Sequence, residues 1–302
     1  MHTYKPTNHD EANFSAIALG FWRLHNWNMN PGQLLEFVSQ SLDLGIYTFD
    51  HADIYCDYSC EEIFGRAIGG QSSLRVKMQL ISKCGIRLVS GKRPQHANKT
   101  YDTSFLHIMQ SAENSLKALQ TDYLDLLMIH RPDPLMDADE TARAFSKLRD
   151  DGKVLHFGVS NFMPSQFELL QSRLDFPLVT NQVEISVLKT EAFFNGVLDQ
   201  CQQKRVRPMA WSPLGGGSLF HSSEPQIERL CSVMEEICCQ LGDCRIEQLA
   251  LAWLLSHPSG IVPVLGTGNS ARLRLAAESL KIRLTREQWF SILMASTGQE
   301  IP

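Results

Sequence analysis

The sequence predicts a (β/α)8 TIM barrel with extra C-terminal helices, read as one domain over residues 1–302. Three observations predict it. Eight short apolar runs punctuate the chain, and most are followed by a stretch of helical spacing. Several runs read as near-continuous Val, Ile and Leu, the pattern of strands covered on both faces. No linker or repeat marks a domain boundary, and a chain of 302 residues suits one closed barrel. A doubly wound sheet is the competing layout; the absence of a GxGxxG after the first run weighs against it.

The strands are expected in order at "FSAIALG" (14–20), "YTFD" (47–50), "VKMQLISK" (76–83), "DLLMIH" (125–130), "HFGVS" (156–160), "VTNQVEI" (179–185), "RPMAWS" (207–212) and "GIVPVLG" (260–266). The first helix, "PGQLLEFVSQSLDLG", opens on Pro31 and stops at Gly45, as proline at a first turn and glycine at a C-terminus direct. "DTSFLHIMQSAENSLKALQ" repeats apolar residues along one helical face. "DADETARAFSKLRDDGK" begins with acidic residues, which favour a helix N-terminus. Further helices are expected in "MPSQFELLQSRL", "KTEAFFNGVLDQCQQKR", "IERLCSVMEEICCQLG" and "RIEQLALAWLLSHP", and two more near 270–279 and 285–297 follow the last strand. The longest loops, 86–101 and 213–225, follow strands three and seven and so belong on the C-terminal barrel face, where barrel enzymes keep their chemistry.

Composition narrows the class. Hydrophobic residues make up 43% and charged residues 20%, with a net charge of −5 and no basic block, which argues against nucleic-acid binding. No run approaches the ~18 apolar residues of a membrane span, and the N-terminal segment lacks an apolar leader core. None of the eight cysteines forms a CxxC pair; Cys56 and Cys60 are spaced CxxxC with no second pair to complete a zinc site. The expectation is a reduced, cytoplasmic protein with free thiols and a small-molecule partner.

Polar residues cluster at the strand ends. Asp50 ends strand two with Tyr55 just beyond, Lys83 ends strand three and His130 ends strand four. Ser160 and Asn161 end strand five, Gln182 lies in strand six, Trp211 and Ser212 end strand seven, and Gly266 and Thr267 end strand eight. In a barrel these converge on one pocket. An unpaired charge is costly to bury, so a lysine inside "QLISK" needs a partner, and Asp50 is the natural one.

The ordered set "FDHADIY", "SKCG", "LLMIHRP", "GKVLHFGVSNF", "TNQVEIS" and "PMAWSPLGGG" resembles the aldo-keto reductases, of a bacterial type, from about Gly20 to about Glu278. The resemblance implies a catalytic four of Asp50, Tyr55, Lys83 and His130 and an extended nicotinamide cofactor at the barrel mouth. It implies that Ser160, Asn161 and Gln182 hold the carboxamide and that Trp211 stacks on the ring. Ser212, Pro213, Leu214, Gly215 and Gly216 fall at the pyrophosphate. Gly266, Thr267, Gly268, Asn269 and Arg272 fall at the adenosine phosphate, with Gly20, Trp22 and Asp50 completing the contacts. NADPH is expected over NADH because Arg272 suits bidentate phosphate contact, although Gly268 stands where the family is often basic.

The expected chemistry is reduction of an aldehyde or ketone to an alcohol. Tyr55 would donate the proton with its pKa lowered by Lys83, Asp50 would hold Lys83, and His130 would orient the carbonyl oxygen. Trp22, Tyr58 and the 86–101 loop are pocket candidates, with Arg23 or Arg87 able to select an acidic substrate. Two departures from the family pattern stand beside the catalytic residues: His51 after Asp50, and Cys56 where glycine commonly follows the tyrosine. Two rival readings are a metal-dependent hydrolase using His51, Asp53 and His130, and a nicotinamide-binding regulatory protein that turns over little.

Overall fold

The computed structural model describes residues 12–221, 224–242 and 244–300. Eight parallel strands close into a barrel: β1 (Ala18–Gly20), β2 (Thr48–Asp50), β3 (Gln79–Cys84), β4 (Leu124–Ile129), β5 (Val154–Ser160), β6 (Leu178–Glu184), β7 (Met209–Trp211) and β8 (Val262–Leu265). Each pairs with its neighbour in sequence, and β1 closes on β8 through Ala18 against Val264. All eight sequence-expected strands are present; the first, second, seventh and eighth are shorter than expected, and the third to sixth are shifted or extended past the expected range by one or two residues at one end. The expected N-terminal reading falls partly on residues 1–11, and the last two residues of the C-terminal tail likewise lie outside the described residues.

The helices are α1 (Pro31–Asp43), α2 (Cys60–Ile68), α3 (Phe105–Leu119), α4 (Ala138–Asp150), α5 (Pro164–Gln171), α6 (Val197–Lys204), α7 (Pro225–Gln240), α8 (Ile246–Leu255), α9 (Ser270–Glu278) and α10 (Arg286–Thr297). α1 starts where Asn30 and Gln33 form a reciprocal capping box ahead of Pro31. α7 and α10 stand outside the eightfold pattern and brace each other: Gln226 Nε2 donates to Ser296 O at 2.7 Å and Arg229 Nε to Ala295 O at 2.8 Å. α2 was not anticipated. It packs so closely on α3 that a Cβ on Gly65 would meet Ala118 O at 2.0 Å, which explains the glycine. An antiparallel pair, Ile86–Arg87 with Thr100–Tyr101, also falls inside what reads as a loop.

Side-chain alternation fixes what fills the barrel. Ala18, Ile81, Leu126, Met128, Met209, Val262 and Val264 form one buried cluster with Phe14. Two residues beyond Ile81 on the same face comes Lys83, and two beyond Met128 comes His130. The apolar floor thus sets the direction of the polar groups above it.

Candidate active site

Lys83 is fully buried, and its ammonium has three donors to satisfy. Asp50 Oδ1 lies at 2.7 Å, the His51 carbonyl at 2.8 Å and the Tyr55 hydroxyl at 3.0 Å. These three acceptors use all three donors. Burial lowers the Lys83 pKa, but Asp50, Tyr55 and the hydrogen bonds to both outweigh it, so the net direction is upward and the side chain stays charged. Since an ammonium can only donate, the Tyr55 oxygen must accept, and the phenol keeps its own proton for another partner.

The expectation that Lys83 brings Tyr55 below the usual phenol value is corrected. Burial raises the Tyr55 pKa more than Lys83 lowers it, and Asp50 adds to the rise. The group is a protonated phenol held against a fixed positive charge. The His130 ring lies edge-on to Tyr55, centroids 5.7 Å apart. Burial, then Lys83, Arg131 and Lys99, holds its pKa well below the usual imidazole value, so it is neutral and carries one N–H to donate.

His51 is structural through its ring and useful through its backbone. The imidazole stacks on Phe21 at 4.5 Å with Phe64 edge-on at 4.6 Å, and burial pushes its pKa down to about 3. Its carbonyl is what Lys83 uses. Among the described residues no group of three or more His, Cys, Asp or Glu side chains could hold a metal ion.

The turn after Tyr55 shows how cysteine replaces the expected glycine. Cys56, Asp57 and Tyr58 all adopt left-handed conformations, with φ of 48°, 55° and 58°. Each such non-glycine residue costs roughly 1–2 kcal/mol. Long-range contacts hold the turn: Cys56 Sγ donates to Trp22 O at 3.2 Å, and Leu88 N donates to Tyr58 OH at 2.9 Å. Arg93 lies 4.7 Å over the Tyr58 ring. The 86–101 loop therefore latches the segment that carries Tyr55.

Beside this group Gln182 Nε2 donates to Asp50 Oδ1 at 2.9 Å. Asn161, left-handed at φ 62°, donates to Ser160 Oγ at 2.8 Å and accepts from Trp211 Nε1 at 3.0 Å. Ser160, Asn161, Gln182 and Trp211 are thus one connected polar wall joined to Asp50. Beyond β7, Pro213 is buried, Leu214 packs against both large core clusters, and Gly215, Gly216 and Gly217 all have positive φ. Arg23 Nη2 reaches across to Gly216 O at 3.4 Å, while Trp22 stands 57% exposed on the rim.

These features lie on a chain whose residues 16–295 match the model of the Aldo/keto reductase family. The chain belongs to that family. It is 51% identical to "Oxidoreductase YdhF" of Escherichia coli over 96% of each chain. It is 43% identical to a "6-dehydroglucose reductase" of Agrobacterium fabrum over 97% of each. A crystal structure of an aldo/keto reductase from Klebsiella pneumoniae in complex with NADP and acetate superposes with a TM-score of 0.74 at 27% identity, covering 92% of this chain and 90% of that one.

In this aldo/keto reductase the loop after β8 carries a specific constraint. A Cβ on Gly268 would meet the Trp27 ring at 2.6 Å, so a basic side chain there is excluded by packing. Asn269 is spent as the cap of α9, its Oδ1 accepting from Ala271 N at 2.9 Å and Arg272 N at 3.1 Å. Thr267 Oγ1 accepts from Asn269 N at 3.2 Å, and the Arg272 side chain is exposed. Gly266 has open space around its Cβ position, while at Gly20 a Cβ would crowd Val264 at 2.9 Å. Sequence reasoning missed Arg131, whose guanidinium lies 5.6 Å over the Trp211 ring, although it follows His130 directly. It also missed Glu61, buried on α2 and bonded to Ser82 on the outer side of β3.

Proposed function

We propose that this protein reduces a small, polar aldehyde with NADPH, Tyr55 donating the proton. The observation that carries this is the Tyr55 hydroxyl 3.0 Å from an ammonium that Asp50 fixes at 2.7 Å. As oxygen of a bound carbonyl gains negative charge, the phenol proton moves to it, and the adjacent Lys83 charge stabilises the phenolate left behind. Neutral His130 donates a hydrogen bond to the same oxygen. The nicotinamide, when bound, supplies the hydride.

The residues present fit that cofactor. The wall of Ser160, Asn161 and Gln182 offers amide-binding groups beside Trp211. The turn at Gly215 and Gly216 lets backbone approach a pyrophosphate, because glycine puts no side chain in the way. Arg272 is the cation for an adenosine phosphate, with Thr267 beside it, and the Klebsiella relative's NADP supports the choice. The sugar aldehyde in the Agrobacterium relative's name supports a polyhydroxylated substrate, and the rim adds Arg23, Arg87 and Arg131 to its aromatic Trp22 and Tyr58. All eight cysteines are free, which supports a reduced cytoplasmic setting. Among the described residues no helix is long and apolar enough to cross a membrane.

The test is NADPH oxidation across a panel with a 6-aldehydo sugar, aromatic aldehydes and simple ketones. We expect fastest turnover on the sugar aldehyde. Tight NADPH binding with turnover on no carbonyl would overturn the reading in favour of a nucleotide-sensing role.

A further inference from the structure

We propose that Cys56 and Cys60 are a redox-modification site, closed by hydrogen peroxide to a disulfide that disarms Tyr55. Cys56 follows Tyr55 directly, and Cys60 opens α2 one turn later. Both thiols converge on one carbonyl: Cys56 Sγ is 3.2 Å and Cys60 Sγ 3.9 Å from Trp22 O. Cys56 is partly exposed at the rim, where an oxidant arrives, whereas Cys60 is fully buried behind it. That is the arrangement of an attacking and a resolving thiol.

The chemistry balances without a cofactor. The Cys56 thiol gives up its proton and attacks one peroxide oxygen; the S–O bond forms, the O–O bond breaks, and the departing hydroxide takes up that proton, leaving a sulfenic acid and water. The Cys60 sulfur then attacks the Cys56 sulfur; the S–S bond forms, the S–O bond breaks, and the leaving hydroxide takes the Cys60 proton as water. Two thiols are oxidised and one peroxide is reduced to two waters.

The consequence follows from what the thiols hold. A sulfur–sulfur bond of about 2.05 Å needs a fixed torsion that the present side chains must turn to reach. Turning draws Cys56 Sγ off Trp22 O, and that contact helps hold three consecutive left-handed residues in place. Tyr55 is the next residue back, with its oxygen 3.0 Å from Lys83. Trp22, on the other side of the same contact, sits on the rim. One bond therefore loosens both the acid and the lip of the site. The inference rests on the assignment of Tyr55 as the proton donor.

A second thiol pair supplies the control. Cys244 Sγ lies 3.2 Å from Cys238 Sγ, at the C-terminal end of α7 and ahead of α8. It has the same chemistry and no contact with Tyr55, Lys83 or Trp22. The experiment treats the full chain and its C238A/C244A variant with hydrogen peroxide, maps crosslinks by peptide mass, and follows NADPH-dependent turnover before treatment, after it, and after dithiothreitol. We expect a 56–60 crosslink in both proteins and a fall in rate of about a hundredfold, as for a catalytic group displaced by about 1 Å, restored by the reductant. Cys60→Ala, or Cys56→Ser should that variant fold poorly, should keep its rate under peroxide. No 56–60 crosslink, a crosslink with unchanged rate, or equal loss in the single variants overturns the proposal. Failure of the carbonyl-reductase reading shows separately, as absence of turnover in the untreated, fully reduced protein, and the mapped crosslink then decides the modification site by itself.

Discussion

Two ion pairs stand at opposite ends of this barrel, one joining the turn ahead of β3 to β4 and one joining β3 to β2. At the N-terminal end Arg75 Nη2 meets Asp125 Oδ2 at 2.8 Å; at the mouth Lys83 Nζ meets Asp50 Oδ1 at 2.7 Å. Arg75 spends its other donors on Thr121 Oγ1, Met78 O and Tyr123 O, and the same Asp125 oxygen also accepts from Leu80 N at 2.8 Å. Every acceptor there is a group that does not ionise near neutrality or is already charged. Lys83 uses all three of its donors, but one of its acceptors is a phenol with a proton still to give. A buried ion pair by itself therefore says nothing about chemistry. The difference lies in a single titratable acceptor placed between the pair and the open mouth.

Glu61 adds a third case, a buried carboxyl whose hydrogen-bond donor is a hydroxyl. Without a close cation, burial pushes its pKa up to about 7, against the downward pull of Ser82, Ser115 and the more distant Lys83. Three buried carboxyls thus occupy three states: locked in a structural pair, locked in a pair that touches an acid, and titrating near neutrality.

The largest expected break in this comparison is Tyr55→Phe. It should lower the turnover number by about 10²–10⁴-fold, the usual worth of a positioned acid, while the NADPH dissociation constant stays within about threefold of wild type, or about 0.6 kcal/mol. Fluorescence titration beside steady-state kinetics reads both. Because the phenol's pKa is raised, the wild-type rate of carbonyl reduction should be flat through neutral pH and fall only above the ordinary phenol range.

Arg75→Met should do the opposite. Leaving Asp125 buried without its cation should cost about 3–5 kcal/mol of stability, seen in denaturant melts, with turnover per folded molecule unchanged. A loss of turnover without loss of stability would erase the distinction between the two ends.

Glu61→Gln probes the third state. A folded-state pKa of about 7 against the ordinary 4.5 means the folded protein holds this proton more tightly than the unfolded chain. The stability this gives is complete below the ordinary value and is lost as pH rises to about 7. The variant, having no such proton to lose, should gain on wild type over that window by about 3 kcal/mol and then level off. Equal stability differences at pH 5 and pH 8 would show that Glu61 is ionised throughout.

The smallest expected effect is Arg272→Ala. It should weaken NADPH by about tenfold, the value of one charge-assisted contact, and leave NADH unchanged. Equal weakening of both would remove Arg272 from the adenosine phosphate.

The eight strands were legible because burial on both faces writes each as a short apolar run, and the residues ending those runs pointed to one rim. Asp50 was legible as the partner of Lys83 because a lysine inside "QLISK" has few other ways to be buried, and Tyr55 joined them through the family resemblance. The left-handed turn at Cys56–Asp57–Tyr58 was not. Its sequence lacks the glycine or asparagine that signals positive φ, and what holds it is contact with Trp22 and Leu88, some thirty positions away on either side. The direction of the Tyr55 shift was not legible either, since it is a balance between burial and Lys83 that only packing decides. Glu61 belongs to the same class: its burial follows from Ser82 and Ser115 arriving from another strand and another helix.

The indole of Trp27 against Gly268 has a consequence for how cofactor preference can change in this lineage. Positions 27 and 268 form a lock of two parts, one large and one absent. A lysine or arginine introduced at 268 alone has nowhere to go, so a stronger grip on a phosphorylated ribose there must begin with a smaller residue at 27, and a step that first weakens the core around Phe21 and Phe37, against which Trp27 packs, stands between the present protein and that alternative.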